Sequence, residues 1–297
     1  MPCAAAGVHS RTGRRRLLPD RHASHRITGG APSLGRTVYQ RDKRRGNGFF
    51  AGCNLSCVYC QNYEISELRR GIEISVERLA EIYRELIARG AHNIDLVTPT
   101  HFTHAVFQSL GEPLPVPVVY NCGGYESVHT VAFLRKKIQC WLPDLKYSDA
   151  VAAERYSSAS DYFEKAVSAI EQMFRQTGPY EIGADGILKK GVLIRHLILP
   201  GQMKNTKGVL EYVAETFRKG DVLFSLMRQY TPHGRAEEFP EINRQITDEE
   251  YEEAEAYMEA LGIEDGYVQQ KESSDQSFIP VFDGTGVERA AESNTKK

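Results

Sequence analysis

The chain has 297 residues, of which 41% are hydrophobic and 26% are charged, and its formal net charge is −2. This length fits one large domain or two small ones, and the apolar share is enough to fill a sizeable core. No apolar run in the sequence approaches the roughly 20 residues that a membrane-spanning helix needs, which excludes that class and predicts a soluble protein.

The charge is divided unevenly along the chain. Residues 1–45 hold eleven arginines and lysines and two aspartates, a net charge of +9, so the remaining residues carry −11. We expect residues 1–45 to be a basic, disordered arm, residues 46–285 to form the folded domain, and residues 286–297 to be a polar tail. An organellar transit peptide and an upstream start codon are the alternatives for the arm. With six cysteines and no secretory signal, the chain is expected in the reducing cytoplasm.

From Gly46 onward, short apolar runs alternate with amphipathic segments. Six runs are nearly continuous in apolar residues, as expected of strands buried on both faces. These predicted strands are Gly48–Cys53, Asn93–Thr98, Val116–Asn121, Ile138–Leu145, Gly191–Leu199 and Val222–Tyr230. The predicted helices are Ser75–Gly90, Ser127–Lys137, Ser160–Gln176, Asn205–Lys219 and one that opens with a capping box at Thr247 and Glu250 and runs through Leu261.

This alternation predicts an α/β fold with a parallel sheet, because parallel strands are joined by helical crossovers. Six units are too few for a closed barrel of eight strands, so we expect a partial (β/α)6 barrel. A doubly wound open sheet is the alternative. Both architectures gather their chemistry at the carboxyl ends of the strands.

Three of the six cysteines, Cys53, Cys57 and Cys60, fall within eight residues just after the first predicted strand. Thiols this crowded cannot pair as disulfides with one another, and soft thiolates select iron–sulfur clusters or zinc. Zinc would need a fourth ligand, and a chance spacing is a third reading. The candidate fourth ligands are His101, His104, Cys122 and Cys140. We otherwise expect Cys122 and Cys140 to be buried, inert thiols.

The spacing Cys-x3-Cys-x2-Cys resembles the hallmark of the radical S-adenosylmethionine (SAM) superfamily. More closely, Gly52–Asn62 and the Tyr-Glu-Ile-Ser that follows are similar to relatives of pyruvate formate-lyase activating enzyme. Supporting stretches are Gly90–Phe102, Pro143–Tyr147 and Ile194–Gly201. The resemblance covers about residues 46–285.

That resemblance implies one [4Fe–4S] cluster on Cys53, Cys57 and Cys60, with SAM bound at the open iron. Reductive cleavage of SAM would give a 5′-deoxyadenosyl radical that abstracts hydrogen from a substrate. The aromatic Tyr59 would lie near the adenine. The protein would position the reactants and exclude water.

Two further strand ends are expected to contribute to the SAM pocket. After the second strand, relatives carry Gly-Gly-Glu-Pro, whereas this chain has Thr98-Pro99-Thr100-His101 and so lacks the carboxylate. The resemblance transfers a SAM contact to Thr98 and Thr100. After the third strand, Asn121 stands where relatives have an acidic contact.

The fourth and fifth strands carry charged residues in apolar surroundings. Alternation places Asp144 and Lys146 on the same side of a strand, so we expect them to pair with each other or with a ligand. Arg195 interrupts an apolar run and needs a partner when buried. The resemblance implies that all three contact SAM. His196 points to the opposite face, where a structural role is expected.

The resulting hypothesis is a SAM-cleaving activase or modifying enzyme with a protein or peptide substrate and an external reductant, flavodoxin or ferredoxin. The competing hypothesis is a non-catalytic zinc or redox-sensing module whose basic arm binds nucleic acid. The arginines of the arm are not interleaved with aromatic residues, and the body is acidic, so we do not expect nucleic acid or a membrane as a partner.

Overall fold

The computed structural model describes residues 25–28 and 44–268. Most of the predicted arm, Cys3 and everything after residue 268 lie outside the described residues, so the predicted domain boundaries stay predictions. Within the arm, where we expected disorder, His25–Thr28 forms a short strand. This strand pairs antiparallel with two neighbours at one end of the sheet.

A single sheet contains the ten strands of the described residues. In chain order these are β1 (His25–Thr28), β2 (Arg44–Phe50), β3 (Ile72–Ile74), β4 (Ala91–Val97), β5 (Val118–Cys122), β6 (Cys140–Pro143), β7 (Glu181–Ile182), β8 (Leu188–Leu197), β9 (Leu223–Met227) and β10 (Gly266–Val268). Their order across the sheet is β10-β9-β8-β6-β5-β4-β2-β1-β3, and β7 pairs with β8.

The strands from β2 to β10 along this path are parallel to their neighbours, and the sheet does not close. The six predicted strands correspond to β2, β4, β5, β6, β8 and β9. They follow one another in chain order without the reversal of a doubly wound sheet. The predicted partial barrel is therefore confirmed, with β10 as a further parallel strand that three residues were too few to signal.

The helices cover the outer face of the sheet. They are α1 (Tyr63–Ser66), α2 (Val76–Ala88), α3 (Thr103–Ser109), α4 (Val128–Phe133), α5 (Ala150–Ser157), α6 (Tyr162–Thr177), α7 (Met203–Thr216) and α8 (Asp248–Ala260). The predicted capping box at Thr247 and Glu250 is present at the start of α8. Among the helices of the described residues, none is a candidate for crossing a membrane.

The two faces of the sheet differ in the residues they carry, as β6 shows. Trp141 is fully buried in the main core, whereas Cys140 and Leu142 on either side of it belong to a separate apolar cluster. Because side chains alternate along a strand, the face that carries Leu142 continues to Asp144 just beyond the end of β6. The inner face thus changes from apolar to polar where the strands end.

Candidate functional site

The three cysteines lie on one loop that follows β2. Gly52 opens this loop with a φ of 88°, in the left-handed region that glycine tolerates, and its amide donates to the carbonyl of Ile65 at 2.7 Å. The amide of Val58 donates to the carbonyl of Tyr156 in α5 at 2.9 Å, and the carbonyl of Val58 accepts from the amide of Arg235 at 2.7 Å. Backbone hydrogen bonds on two sides therefore fix the path of the loop.

Each of the three thiols has a hydrogen-bond donor beside it. The donors and their distances to the sulfur atoms are the Ser157 hydroxyl for Cys57 at 3.0 Å, the Ser66 hydroxyl for Cys60 at 3.2 Å, and the Leu55 amide for Cys53 at 3.5 Å. Donors aimed at sulfur stabilise a thiolate, which is the form that ligates metals.

The protein surroundings by themselves favour neutral thiols at two positions. Burial raises the pKa of the Cys53 thiol to about 12 and that of Cys57 to about 11, while the positive charge of Lys146 lowers both. The charge of an iron–sulfur cluster or a zinc ion would deprotonate such thiols. Three free thiols on one loop fit a group of this kind.

The thiols are not gathered around one ion. Within residues 25–28 and 44–268, no three or more His, Cys, Asp or Glu side chains lie close enough together to hold a single metal ion. A four-iron cluster does not require this, because each thiolate binds a different iron. Of the fourth ligands that zinc would need, Cys122 and Cys140 are buried as predicted, and the ring of His104 packs on Phe133.

Four predicted residues from three strand ends meet in one charged cluster. The Asp144 carboxylate forms an ion pair with Lys146 at 2.6 Å through one oxygen and with Arg195 at 2.5 Å through the other. Arg195 also donates to the side-chain oxygen of Asn121 at 2.7 Å. The expected pairing of Asp144 with Lys146 is confirmed, and Arg195 has the partners that its burial requires.

This cluster carries one net positive charge in a largely buried place. Burial by itself would raise the pKa of Asp144, but Arg195 and Lys146 outweigh it and hold that pKa below its usual value. Burial would lower the pKa of Lys146, but Asp144 outweighs it and raises that pKa. All three groups are therefore ionised, and two cations face one anion. Such a cluster can take an additional carboxylate from a ligand.

The charged cluster and the cysteine loop belong to the same site. The charge of Lys146 acts on the thiols of both Cys53 and Cys57, and that of Asp144 acts on Cys57. A Cβ atom at Gly123 would lie 3.0 Å from Leu55 on the cysteine loop and 3.7 Å from Lys146. The cysteine loop and the ends of β5, β6 and β8 therefore lie together at the carboxyl edge of the sheet, where ligands bind in open α/β sheets.

Tyr162 of α6 and Gly124 contact the backbone that carries the charged cluster. The Tyr162 hydroxyl lies 2.7 Å from the carbonyl of Asp144 and 2.8 Å from that of Gly123, and it accepts from the amide of Lys146 at 2.9 Å. Gly124 has a φ of 78°, and a side chain there would collide with the Asp144 carbonyl. The sequence does not reveal Tyr162 as part of this site, because nothing local marks a tyrosine 18 residues after Asp144 as its partner.

Thr98 and Thr100 lie at the end of β4, beside a carboxylate that the sequence analysis missed. The amide of Thr98 donates to the carbonyl of Asn121 at 2.8 Å, and Thr98 has a φ of 58°. The hydroxyl of Thr100 donates to the carboxylate of Glu126, which is 3% exposed. Burial raises the pKa of Glu126 to about 7. A lone acidic residue in the loop after β5 was the available signal.

Tyr59 is placed differently from the other predicted cofactor residues. Its side chain is 5% exposed, and its ring packs on Tyr230 with the centroids 5.7 Å apart. Its hydroxyl lies 2.7 Å from the hydroxyl of Tyr147. Tyr59, which lies on the cysteine loop between Cys57 and Cys60, therefore packs into the core and is not part of the charged cluster.

His196 has the structural role that was predicted. It is fully buried on the face of β8 opposite Arg195, where its ring nitrogens lie 2.7 Å from the carbonyl of Leu145 and 3.0 Å from the hydroxyl of Thr206. Burial lowers its pKa to about 4, so the ring is neutral near pH 7.

Comparison with known proteins identifies one curated relative at low identity. The chain is 27% identical over 219 residues to an uncharacterized protein of Methanocaldococcus jannaschii, and the match covers 69% of this chain and 59% of that protein. No protein-family profile matches the chain.

Solved structures give a broader similarity. Methylornithine synthase superposes with a TM-score of 0.50 at 17% identity, over 75% of this chain and 63% of that one. A mutant of spore photoproduct lyase superposes with a TM-score of 0.52 at 12% identity, over 80% and 79% of the two chains. Another, solved with bound AdoMet and dinucleoside spore photoproduct, has a TM-score of 0.50 at 11% identity, over 79% and 80%.

These similarities establish the fold. The chain has an unclosed parallel barrel like those of methylornithine synthase and spore photoproduct lyase. It spans less than two thirds of the curated relative and of methylornithine synthase.

Proposed function

We propose that this chain is a radical SAM enzyme, with one [4Fe–4S] cluster on Cys53, Cys57 and Cys60 and SAM beside it. The observation that carries the proposal is the meeting of three free thiols and a net positive cluster at the carboxyl edge of one partial barrel. When bound, the cluster supplies the electron for the reductive cleavage of SAM and hydrogen abstraction from a substrate.

The charged cluster provides binding groups for the amino-acid part of SAM. Arg195 and Lys146 together outweigh Asp144 by one positive charge and are suited to a carboxylate. Asp144 is held ionised and can accept hydrogen bonds from an ammonium or from hydroxyls. Asn121 accepts a hydrogen bond from Arg195 and so helps to hold its guanidinium in place.

Thr98, Thr100 and Tyr59 complete the proposed pocket. Thr98 lies next to Asn121, and Thr100 donates a hydrogen bond to the carboxylate of Glu126. Glu126 thereby brings a carboxylate to the segment that lacks the acidic residue of Gly-Gly-Glu-Pro. The buried ring of Tyr59, on the cysteine loop itself, would supply an apolar wall to this pocket. The buried surroundings exclude water from the reacting groups.

We further propose an activity like that of pyruvate formate-lyase activating enzyme, on a protein or peptide. The similarity of residues 52–66 supports this reading. Because the sequence holds one cysteine triplet, the electron would come from an external flavodoxin or ferredoxin, in the reducing cytoplasm.

The test of SAM cleavage is anaerobic reconstitution followed by assay. We expect about four iron and four sulfide per chain, and 5′-deoxyadenosine on addition of dithionite and SAM. Cys57→Ala should lose the cluster and the product. Cys140→Ala is the matched control, because it removes a buried free thiol from the apolar part of the inner face. It should keep both the cluster and the product.

Two results would contradict the proposal. An intact cluster that yields no 5′-deoxyadenosine would remove the SAM chemistry, and about one zinc per chain without iron or sulfide would favour the zinc module. The substrate is tested separately by capturing partners in cells that carry the unsubstituted or the Cys57→Ala chain, followed by mass spectrometry. Modifications that occur equally with both chains would argue against a protein substrate.

A further inference from the structure

A chain of three hydroxyls runs from the protein core to one of the three thiols. The Tyr59 hydroxyl lies 2.7 Å from that of Tyr147, which lies 2.7 Å from the hydroxyl of Ser157. Ser157 donates to the sulfur of Cys57 at 3.0 Å. The exposed fractions of Tyr59, Tyr147 and Ser157 are 5%, 0% and 1%, so the whole chain is buried.

The number of protons fixes the direction of these hydrogen bonds when Cys57 is a thiolate. Each hydroxyl has one proton to donate. Ser157 gives its proton to the sulfur, so its oxygen must accept from Tyr147, and the Tyr147 oxygen must accept from Tyr59. Each donation polarises the next, which strengthens the final hydrogen bond to sulfur. The three residues therefore act on Cys57 as a unit.

The position of Ser157 is fixed independently of these hydroxyl hydrogen bonds. Ser157 is the last residue of α5, and Ser158 ends the helix with a φ of 53°. The carbonyls of Tyr156 and Ser157 accept from the amides of Val58 and Ser56, at 2.9 and 3.3 Å. The hydroxyl is thus presented to Cys57 by a helix end that is bonded to the cysteine loop itself.

Cys60 provides a contrast within the same loop. It accepts a hydrogen bond from Ser66 at 3.2 Å, but Ser66 is partly exposed. No further side-chain hydroxyl hydrogen bond to Ser66 is seen among residues 44–268. The buried hydroxyl chain therefore distinguishes Cys57 from its neighbour.

We propose that Ser157, Tyr147 and Tyr59 are positioning residues that raise the reduction potential of the cluster through Cys57. This inference rests on the proposed function, since it requires a cluster on Cys57. Hydrogen bonds to a ligating sulfur withdraw electron density, which stabilises the more negative, reduced state. The three linked hydroxyls would make it easier for the external reductant to deliver its electron.

The test is a graded series of variants in the anaerobically reconstituted protein. Midpoint potentials are measured by spectroelectrochemical titration, after iron and sulfide have been determined for each sample. We expect Ser157→Ala to shift the reduction equilibrium roughly tenfold toward the oxidised form, about 59 mV for one electron. Tyr147→Phe should shift the midpoint potential less, and Tyr59→Phe should shift it least. Ser157→Thr should keep the potential of the unsubstituted protein because threonine keeps the hydroxyl.

A hydrogen-bonded pair of hydroxyls elsewhere in the protein offers a matched control. Ser109 and Tyr83 are buried and lie 3.3 Å apart, and neither hydroxyl contacts a thiol. Ser109→Ala and Tyr83→Phe should leave the potential unchanged.

The outcomes separate this inference from the proposed function. A full cluster whose potential is the same in Ser157→Ala, Tyr147→Phe and the unsubstituted chain would overturn the inference alone. Failure of the unsubstituted chain to form a cluster would overturn both. If Ser157→Ala does not hold a cluster, Tyr147→Phe decides the matter, because it removes one hydroxyl and preserves the packing of the ring.

Discussion

Two buried groups are expected to make the stability of this protein depend on pH in opposite directions. The first is His196, whose folded pKa is lowered by burial to about 4, from an ordinary value of 6.5. The unfolded chain takes up a proton near pH 6.5 and the folded one only near pH 4. The stability that His196 contributes is therefore fully present above pH 6.5 and is lost as the pH falls toward 4. Between pH 7 and 5 the loss is about 2 kcal/mol.

The second group is Glu126, whose folded pKa is raised by burial to about 7, from an ordinary value of 4.5. Here the folded chain holds a proton that the unfolded chain has released. The contribution of Glu126 is fully present below pH 4.5 and is lost as the pH rises through 7. On going from pH 7 to 5 this group stabilises the fold by about 2 kcal/mol. The two groups therefore nearly cancel in the unsubstituted protein.

Single substitutions should uncover each contribution. Urea unfolding at pH 7 and pH 5 gives the free energy of unfolding of the unsubstituted chain, His196→Asn and Glu126→Gln. When the pH is lowered from 7 to 5, the free energy of unfolding of His196→Asn should rise by about 2 kcal/mol relative to the unsubstituted chain. That of Glu126→Gln should fall by about as much. Asn and Gln keep hydrogen-bonding atoms for Leu145 and Thr100 without titrating. Parallel pH profiles for the three proteins would refute the reasoning.

Three further substitutions test the charged cluster. Asp144→Asn should destabilise the fold by about 3 kcal/mol, because it leaves two largely buried cations without their anion. Asp185→Asn, in a partly exposed pair with Lys189, should cost less than about 1 kcal/mol in the same urea titration, and equal losses would contradict this. Gly124→Ala should lower the urea midpoint, since alanine there is strained at a φ of 78° and meets the Asp144 carbonyl. Gly90→Ala is the control, because Gly90 also has a positive φ but has nothing near its Cβ position. Identical midpoints for the two variants would speak against the collision. Arg195→Lys should weaken SAM binding to the reconstituted protein roughly tenfold by calorimetry, because lysine lacks the planar fork, and an unchanged Kd would remove Arg195 from the pocket.

The fold was predictable because its signals are periodic and local. Six apolar runs of strand length, separated by amphipathic helices, determine a parallel sheet, and each run corresponds to a strand of the structure. The strand ends were less predictable. The run beginning at Gly48 was expected to reach Cys53, but β2 ends at Phe50, and β6 ends before Asp144 rather than after it. After β2 the amide of Gly52 is bonded to the carbonyl of Ile65 in α1, and after β6 Asp144 keeps an isolated bridge to Arg195.

The site was predictable only where a residue was unusual in its own surroundings. Cys57 stands in a crowded triplet, and Arg195 interrupts an apolar strand, so both could be found from the sequence. Ser157 and Tyr162 could not, since a serine at a helix end and a tyrosine on an amphipathic helix are common. Their importance comes from contacts 100 residues away, with Cys57, and 39 residues away, with Gly123.

One helix joins the two halves of the site. Helix α5 begins at Ala150, just after the segment that carries Asp144 and Lys146, and it ends at Ser157, which contacts Cys57. Its first end is fixed by Asn205, whose side-chain oxygen accepts from the amides of Ser148 and Asp149.

Eight helical residues form a rod of about 12 Å, which cannot shorten or lengthen without breaking its hydrogen bonds. Helix α5 is therefore a rigid link between the segment that carries Asp144 and Lys146 and the helix end that is bonded to the cysteine loop. A change that loosens the Asn205 end should disturb both the SAM contacts and the hydrogen bond to Cys57, although Asn205 lies in neither half of the site.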